Sequence, residues 1–220
     1  MKTYLIIGAG PGMGLATAAK FAKEGHRVVL SARNRDRLEE LAEQLRRDGA
    51  TVEIRTVDAA DAKAVADLVR DAEREFGGID VLHYNAGVIR ADNVQDQPLD
   101  SFNSDLAINI GGALAAVQSA SPSMRERGEG TILLTGGGFA LAPSPDYLSI
   151  SIGKAGIRAL AQGLFEDFRQ HGVHVATVTV AGFVNAGTKD AAAVADAFWA
   201  LYRQPQADWS FETVYEPAGE

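Results

Sequence analysis

The residues in this sequence best suited to binding a phosphate are the glycines that follow the first apolar segment. The segment IIGAGPGMGLA contains, in order, Gly8, Gly10, Pro11, Gly12, Met13 and Gly14. Gly8 permits a tight turn, Gly12 lets the backbone approach a pyrophosphate at a helix N-terminus, and Gly14 permits close packing of that helix on a sheet. A strand pattern precedes the glycines and a helical pattern follows them. The segment therefore predicts a dinucleotide site that includes all six residues, although glycine also occurs in such turns for conformation alone.

The residues after the second apolar strand indicate which dinucleotide binds. An NAD site usually has a carboxylate at this point, which accepts hydrogen bonds from the ribose hydroxyls. The segment LSARNRDRL has no carboxylate before Asp36. Arg33 is placed to pair with a 2′-phosphate through its guanidinium group. The alternative is that Arg33 only begins an exposed loop. We expect NADP(H) to be preferred over NAD(H).

Several further motifs follow the glycines in an order that resembles one protein family. The segment GAGPGMG is similar to the glycine loop of the short-chain dehydrogenases/reductases, and YNAG is similar to their motif after the fourth strand. VDAAD and VTVAGFVNAGT resemble the family's segments after the third and sixth strands. The resemblance covers nearly the whole chain. It implies further cofactor contacts at Asp58, Ala59, Asn85, Ala86, Gly87, Lys154, Gly182 and Val184.

The resemblance also implies catalytic positions, and two of them hold residues that cannot transfer a proton. In this family a tyrosine acts as acid and base, a lysine lowers its pKa and binds the nicotinamide ribose, a serine binds the substrate oxygen, and an asparagine completes the set. Asn109 in LAINIGG and Lys154 in SISIGKAG match. The tyrosine position holds Ile150, and the serine position holds Gly137. Lys154 then either binds the ribose without a tyrosine or is a solvated helix residue.

Tyr147 is a candidate replacement for the missing tyrosine. It precedes Lys154 by seven residues, which is about two helical turns or ~10 Å along a helix axis and nearly the same face. Its phenol reaches the site only if the helix begins late or the preceding loop folds over the cofactor. The other interpretation is that Tyr147 packs at a plain helix entrance. We name Lys154, Asn109 and Tyr147 as candidate catalytic residues.

Other hydroxyl groups lie near the same positions. Thr135 is two residues before Gly137 and shares its face on a strand, so it is a candidate substitute for the serine. Ser149 and Ser151 flank Ile150, but a serine nucleophile or acid needs a base partner, and the motif contains none.

A parallel sheet is needed to bring these residues together. Apolar segments predict strands at 4–8, 27–32, 51–57, 80–87, 131–137, 174–182 and 209–215, and amphipathic segments predict helices at 12–25, 34–48, 61–76, 99–127, 147–170 and 190–203. Strands that are apolar on both faces are typical of a sheet covered on both sides. Their alternation with helices predicts an α/β, Rossmann-type, doubly wound parallel sheet of about seven strands. We find no repeat or linker and expect a single domain, 1–220.

The composition limits the classes of partner. The chain has 21 basic and 29 acidic residues and a net charge of −8, which disfavours a nucleic-acid or anionic membrane surface. It has no cysteine, and its four histidines show no metal-binding spacing, so we expect no metal. No apolar segment near the start is long enough for a signal peptide, and we expect a cytoplasmic location. The family resemblance implies a homodimer or homotetramer formed through the two long helices.

Three functional hypotheses remain open on the sequence. The first is an NADP(H)-dependent oxidoreductase of a small carbonyl or alcohol substrate, of unknown identity, with a rebuilt proton relay. The second is a non-catalytic dinucleotide-binding sensor or scaffold, because the glycine loop is intact while the proton-transfer residues are absent. The third is a structural subunit that binds no cofactor, which the glycine loop argues against. The short segment between the sixth strand and the last helix predicts an open substrate side.

Overall fold

The apolar segments pair into one parallel sheet, which confirms the predicted α/β fold class. The computed structural model describes residues 1–217. Its strands are β1 (Thr3–Ile7), β2 (Arg27–Ala32), β3 (Val52–Thr56), β4 (Val81–Tyr84), β5 (Gly130–Thr135), β6 (Val173–Val180) and β7 (Glu212–Tyr215). They lie in the order β3-β2-β1-β4-β5-β6-β7, and every neighbouring pair is parallel. The strand order reverses between β1 and β4, which is where ligands bind in open sheets of this kind.

Helices connect the strands and cover both faces of the sheet. They are α1 (Met13–Lys23), α2 (Arg35–Arg47), α3 (Ala62–Phe76), α4 (Leu99–Leu106), α5 (Gly112–Arg127), α6 (Leu148–Gln170) and α7 (Lys189–Arg203). Capping side chains fix where several begin: Asn34 accepts a hydrogen bond from the backbone of Arg37, and Asp61 accepts one from Ala64. Such caps satisfy N–H groups that have no partner within the helix.

The core divides into two apolar clusters, one on each face of the sheet. Leu5 and Ile7 of β1 pack on the face covered by α3, α5 and α6. Tyr4 and Ile6, which point the other way, pack on the face covered by α1, α2 and α7. Side chains alternate between the faces of a strand, so a strand buried on both faces must be apolar throughout. This accounts for the continuous apolar segments in the sequence.

The predicted helix over 99–127 is present, and a π-helical turn within it divides it into three segments. A π-helical turn, Ala107–Gly111, separates α4 from α5. Within that turn the Asn109 side chain bonds the backbone of Val88, accepting from its N–H at 2.7 Å and donating to its carbonyl at 3.2 Å. An asparagine that bonds a neighbouring loop widens the helix locally, and π-turns are often found at functional sites.

Several predicted strands end earlier in the structure than in the sequence pattern. β4 ends at Tyr84 and β5 at Thr135, although the apolar or glycine-rich pattern continues to 87 and 137. The additional residues leave the sheet and line the crevice above it.

The last strand begins later than predicted, at Glu212, because Trp209 instead stacks on the ring of His174 at a centroid distance of 4.6 Å. Among residues 1–217, no helix has the length and apolarity needed to span a bilayer.

Candidate dinucleotide and substrate site

The turn between β1 and α1 has the geometry of a phosphate cradle. Gly8 has φ +95°, and a Cβ at this position would lie 2.3 Å from the backbone nitrogen of Ala86, so only glycine fits. A Cβ at Gly14 would lie 3.1 Å from Nδ2 of Asn85, which keeps α1 close to the sheet. Gly12 is the N-cap of α1 and contributes no capping side chain. The N–H groups of Met13 and Gly14 therefore have no capping side chain, with the positive end of the helix dipole behind them, whereas the N–H of Leu15 donates to the carbonyl of Gly10 at 2.8 Å.

Two cavities meet above the carboxyl ends of β1, β4 and β5. One has a volume of about 460 Å³ and reaches Lys154. The other has a volume of about 400 Å³ and reaches Arg33 and Arg37. Gly10, Asn85 and Gly87 line both, so the two cavities form one crevice over the switch point of the sheet. Of the remaining predicted cofactor residues, the first cavity is lined by Gly12, Met13, Gly14, Gly182 and Val184, and the second by Gly8, Asp58, Ala59 and Ala86.

Pro11 is the one predicted cofactor residue that lies outside this lining. It is exposed in the turn before α1 and is among the lining residues of neither cavity. Asn109 also lies outside the lining, but its Oδ1 would be 3.5 Å from a Cβ placed on Gly87. Asn109 therefore supports the loop that carries Gly87 and Val88 rather than facing the crevice itself.

Lys154 extends from α6 across the end of β5. Its Nζ donates a hydrogen bond to the carbonyl of Thr135 at 2.6 Å. Its stem passes over Gly137, where a Cβ would lie 3.2 Å from Cγ and 3.4 Å from Cδ and Cε of Lys154. Burial lowers the pKa of Lys154 to about 8, because a charged ammonium is disfavoured away from water. The lysine stem thus covers the backbone position from which the family's serine side chain would begin.

A buried chain of hydrogen bonds connects the core to the glycine turn. The hydroxyl of Tyr4 pairs with Nδ1 of His83 at 2.6 Å, and Nε2 of His83 pairs with Oγ1 of Thr135 at 2.9 Å. Oγ1 of Thr135 donates to Oδ1 of Asn85 at 2.8 Å, and Nδ2 of Asn85 donates to the carbonyl of Gly8 at 2.8 Å. The Thr135 hydroxyl is therefore committed to Asn85 and His83.

Tyr147 lies at the N-cap of α6, outside the set of residues that line the crevice. Its ring stacks on Phe139, with the centroids 5.3 Å apart, and Phe139 lines the first cavity. Ser149 donates to the buried carboxylate of Asp105 at 2.9 Å. Ser151 donates to the backbone carbonyl of Tyr147 at 2.8 Å. These hydroxyl groups maintain the start of α6, and neither serine lines the crevice.

Comparison with known proteins identifies the family. The sequence profile described as short chain dehydrogenase matches residues 2–195. The chain belongs to the short-chain dehydrogenase family. This is a class of NAD(P)-dependent oxidoreductases, so the nicotinamide dinucleotide expected from the glycine turn agrees with the family.

Individual relatives of this short-chain dehydrogenase support the assignment. An uncharacterized oxidoreductase of Staphylococcus aureus strain MW2 is 32% identical over 180 residues, which cover 81% of this chain and 76% of the relative. The uncharacterized oxidoreductase YxbG of Bacillus subtilis strain 168 is 34% identical over 182 residues, which cover 81% and 65%.

Solved structures of short-chain dehydrogenases share the fold. One from Rhodopseudomonas palustris superposes with a TM-score of 0.90 at 26% identity, covering 98% of both chains. A metagenomic short-chain oxidoreductase, solved in complex with NADP, superposes with a TM-score of 0.91 at 24% identity, covering 99% of this chain and 97% of its own.

The structure brings Gly137, Ile150 and Lys154 together in the first cavity of this short-chain dehydrogenase. Ile150 is only 2% exposed and presents an apolar side chain where the family resemblance implies a phenol. Among the described residues that line this cavity, Lys154 is the only titratable one. No group of three potential metal-ligating side chains occurs within residues 1–217.

Sequence reasoning missed several residues that line the crevice. Arg37 lines the second cavity with Arg33, and its position four residues further on, close to the predicted start of α2, is a signal that could have identified it. Ile89, Phe139 and Phe183 line the first cavity. They come from loops, and no periodic pattern in the sequence marks them.

Proposed function

We propose that this chain is an NADP(H)-dependent oxidoreductase that interconverts a small apolar carbonyl compound and its alcohol. The observation that carries the proposal is the continuous crevice, which has two arginines at one end and Lys154 at the other. A crevice across the switch point of a parallel sheet is where a dinucleotide binds in this architecture. A bound nicotinamide supplies or accepts the hydride.

The residues of the crevice suit the parts of the dinucleotide in order. The N-terminus of α1 would hold the pyrophosphate through backbone N–H groups. Arg33 and Arg37 would pair with a 2′-phosphate, while Asp58 borders the adenosine end. Lys154 Nζ would donate to the nicotinamide ribose while it keeps its bond to the Thr135 carbonyl. Each role uses a group that lines the crevice and has donors or acceptors of the right kind.

The substrate end of the crevice favours an apolar molecule. Ile89, Phe139, Ile150 and Phe183 line it together with small glycine positions, and Phe183 is 65% exposed at its edge. Apolar walls gain free energy by removing apolar substrate surface from water. Within residues 1–217, Lys154 is the one charged side chain in the lining of this cavity. These lining residues therefore offer no negative partner to a cationic substrate and a single positive one to an anionic substrate.

Cofactor choice is tested by titrating NADPH and NADH against the protein and its arginine variants. We expect NADPH to bind at least ~10-fold tighter, because a charge-assisted hydrogen bond contributes about 1.5–3 kcal/mol. Arg33→Ala and Arg37→Ala should weaken NADPH binding and leave NADH binding unchanged. Arg35→Ala is the matched control, since Arg35 does not line the cavity. Equal or tighter binding of NADH by the unaltered protein would refute the preference.

Turnover is tested with a panel of small aldehydes and ketones, by following the absorbance of NADPH. We expect apolar carbonyl compounds to be reduced faster than anionic ones of the same size. Tyr147→Phe should leave the rate unchanged, because Tyr147 does not line the crevice. A large loss of rate in Tyr147→Phe would instead assign the proton donor to that phenol.

A second candidate function is a non-catalytic dinucleotide-binding protein. It is favoured by one observation, the presence of Gly137 and Ile150 beside Lys154 in the cavity. If this function is correct, the unaltered protein binds NADPH without reducing any carbonyl, and the double change Gly137→Ser/Ile150→Tyr creates activity. Reduction by the unaltered protein rejects this alternative.

A further inference from the structure

The first cavity contains very few groups that can release a proton. Among the described residues that line it, only Asn85, Thr135 and Lys154 have side chains with N–H or O–H bonds. The amide of Asn85 is bonded to Gly8, and an amide is not an acid near neutral pH. The hydroxyl of Thr135 donates to Asn85 and is also within hydrogen-bond distance of His83. Carbonyl reduction requires a proton in addition to a hydride, and Lys154 is the remaining side chain in this lining that can supply it.

The Lys154 ammonium is placed to serve as this source. An ammonium group has three N–H bonds, and the bond from Nζ to the Thr135 carbonyl uses one of them. Two remain, one for a ribose hydroxyl and one for a substrate oxygen. Because the positions expected for the tyrosine and the serine hold Ile150 and Gly137, no phenol or side-chain hydroxyl at those positions stands between Nζ and the cavity.

We propose that Lys154 is the catalytic acid of this chain and donates its proton directly to the substrate oxygen, a role that rests on the proposed oxidoreductase function. In the reduction direction, the carbonyl carbon accepts a hydride from the bound nicotinamide, and the C=O π electrons move to oxygen. A new O–H bond forms as one N–H bond of Lys154 breaks. The neutral amine then takes a proton from solvent at the exposed edge of the cavity. Carbonyl, NADPH and one proton give alcohol and NADP⁺.

The electrostatic surroundings of Lys154 favour this role. A catalytic acid works best when its pKa lies near the working pH, and burial lowers the pKa of Lys154 to about 8. His83 on β4 is the titratable group that couples to it; burial and the Lys154 charge lower the pKa of His83 to about 3, so His83 stays neutral. The carboxylates that α6 contacts are paired with arginines, Asp105 with Arg90 and Glu212 with Arg158. Reduction should therefore decline as the pH rises through about 8, where Lys154 loses its proton.

The protonation of Lys154 is measured directly by competitive labelling of the cofactor-free protein with an amine-directed reagent. The rate of acetylation at Lys154 is followed against pH by peptide mass spectrometry, with the exposed Lys23 as internal reference. We expect the Lys154 rate to level off above a midpoint near pH 8, and NADPH to protect the residue. This measurement does not depend on turnover. A midpoint near the ordinary lysine pKa, about 10.4, would overturn the proposal.

Three substitutions of Lys154 then separate proton donation from cofactor binding. Lys154→Arg keeps a positive charge and hydrogen-bond donors but cannot release a proton near neutral pH. Lys154→Met keeps a side chain of similar length but loses both the positive charge and the hydrogen-bond donors. We expect both variants to reduce carbonyl compounds ~10²–10⁴-fold more slowly, and added methylammonium to restore part of the rate in Lys154→Ala. Lys154→Arg should still bind NADPH.

The outcomes distinguish this proposal from the proposed function. Turnover by the unaltered protein that persists in Lys154→Arg and Lys154→Met overturns the acid role and leaves the oxidoreductase function in place. Bound NADPH with no turnover of any carbonyl compound overturns the function, and the acid role with it, even if the labelling midpoint lies near pH 8.

Discussion

The hydroxyl of Thr135 joins the sheet core to the phosphate-binding turn. It pairs with His83 on one side and with Asn85 on the other, and Asn85 in turn holds the carbonyl of Gly8. Thr135 is 4% exposed and His83 is fully buried, while Asn85 is half-buried at the crevice. Buried polar groups without a partner are costly, so this chain of hydrogen bonds depends on the Thr135 hydroxyl at its centre.

We predict that Thr135→Val destabilises the protein by about 1–3 kcal/mol, because the change leaves polar atoms of both His83 and Asn85 unsatisfied. It should also weaken NADPH binding, since Asn85 loses a contact that fixes it against the glycine turn. Urea unfolding and NADPH titration measure the two effects. Thr135→Ser, which keeps the hydroxyl, is the control. Unchanged stability and NADPH binding in Thr135→Val would show that the hydrogen-bond chain is not important.

Among single residues, the glycines of the β1–α1 turn were easier to predict from the sequence than the loop side chains that line the cavity. Gly8 and Gly14 follow from steric requirements that any chain with this turn must meet, and the structure shows both close approaches. Phe139 and Phe183 line the cavity because of how two loops fold over the sheet. The sequence contains no local requirement that would have identified them.

Helix α6 approaches the π-turn so closely that one of its positions must be glycine. A Cβ at Gly153 would lie 2.4 Å from Cβ of Asn109. Asn109 holds the backbone of Val88, and Lys154 follows Gly153 directly. The contact between the two helices therefore sets the distance between Lys154 and the loop that carries Gly87.

We predict opposite effects for two glycine-to-alanine changes in α6. Gly153→Ala should destabilise the protein by a few kcal/mol, because the new methyl group overpacks a tight contact, and it should reduce NADPH binding by moving Lys154. Gly163→Ala is the matched control, since a Cβ there meets nothing within 4 Å, and it should stabilise by up to about 1 kcal/mol through helix propensity. Thermal or urea unfolding measures the change in stability of each variant. Stabilisation by both changes would refute the tight contact.

At the scale of elements, the strand and helix order was predictable because it depends on apolar patterning. The π-turn within the helix over 99–127 could not be predicted from this patterning, because it depends on contacts with a loop outside the helix. Asn109 is only mildly unfavourable in a helix, and the π-turn follows from its bonds to Val88, a residue distant in sequence. The early end of β5 has a similar cause, since the glycines that follow Thr135 turn toward the crevice.

The molecule as a whole exposes apolar side chains on the two long helices. Leu114 on α5 and Ile152 on α6 are each 43% exposed. The family resemblance implies a dimer or tetramer through these helices, and apolar side chains of this kind are suited to the core of an interface.

We predict that Leu114→Asp and Ile152→Asp each shift the protein toward a monomer, because a charge at the centre of an apolar interface is left without a partner. Light scattering coupled to size exclusion measures the mass. Val94→Asp is the control, because Val94 is 68% exposed but lies outside these helices. A monomeric unaltered protein would contradict the predicted oligomer.

The stability of the whole molecule should fall in mild acid because its buried histidines resist protonation. Burial, and then the charge of Lys154, lower the pKa of His83 to about 3, while an unfolded histidine titrates near ~6.5. Burial also lowers the pKa of His26 and His174. Above pH ~6.5 both states are neutral and this contribution to stability is complete. As the pH falls from there toward 3, only the unfolded state takes up the His83 proton, and stability decreases by up to about 1.4 kcal/mol per pH unit for this residue.

We predict that His83→Gln reduces this dependence, because glutamine has a donor and an acceptor but does not titrate. The free energy of unfolding, measured with urea between pH 7 and pH 5, should decrease less steeply in the variant than in the unaltered protein, whatever the variant's stability at pH 7. The remaining slope belongs to His26, His174 and other groups with lowered pKa values. Identical slopes for the two proteins would mean that His83 is already protonated in the fold or is paired differently. The hydrogen bonds assigned to His83 in the chain from Tyr4 to Gly8 would then be wrong.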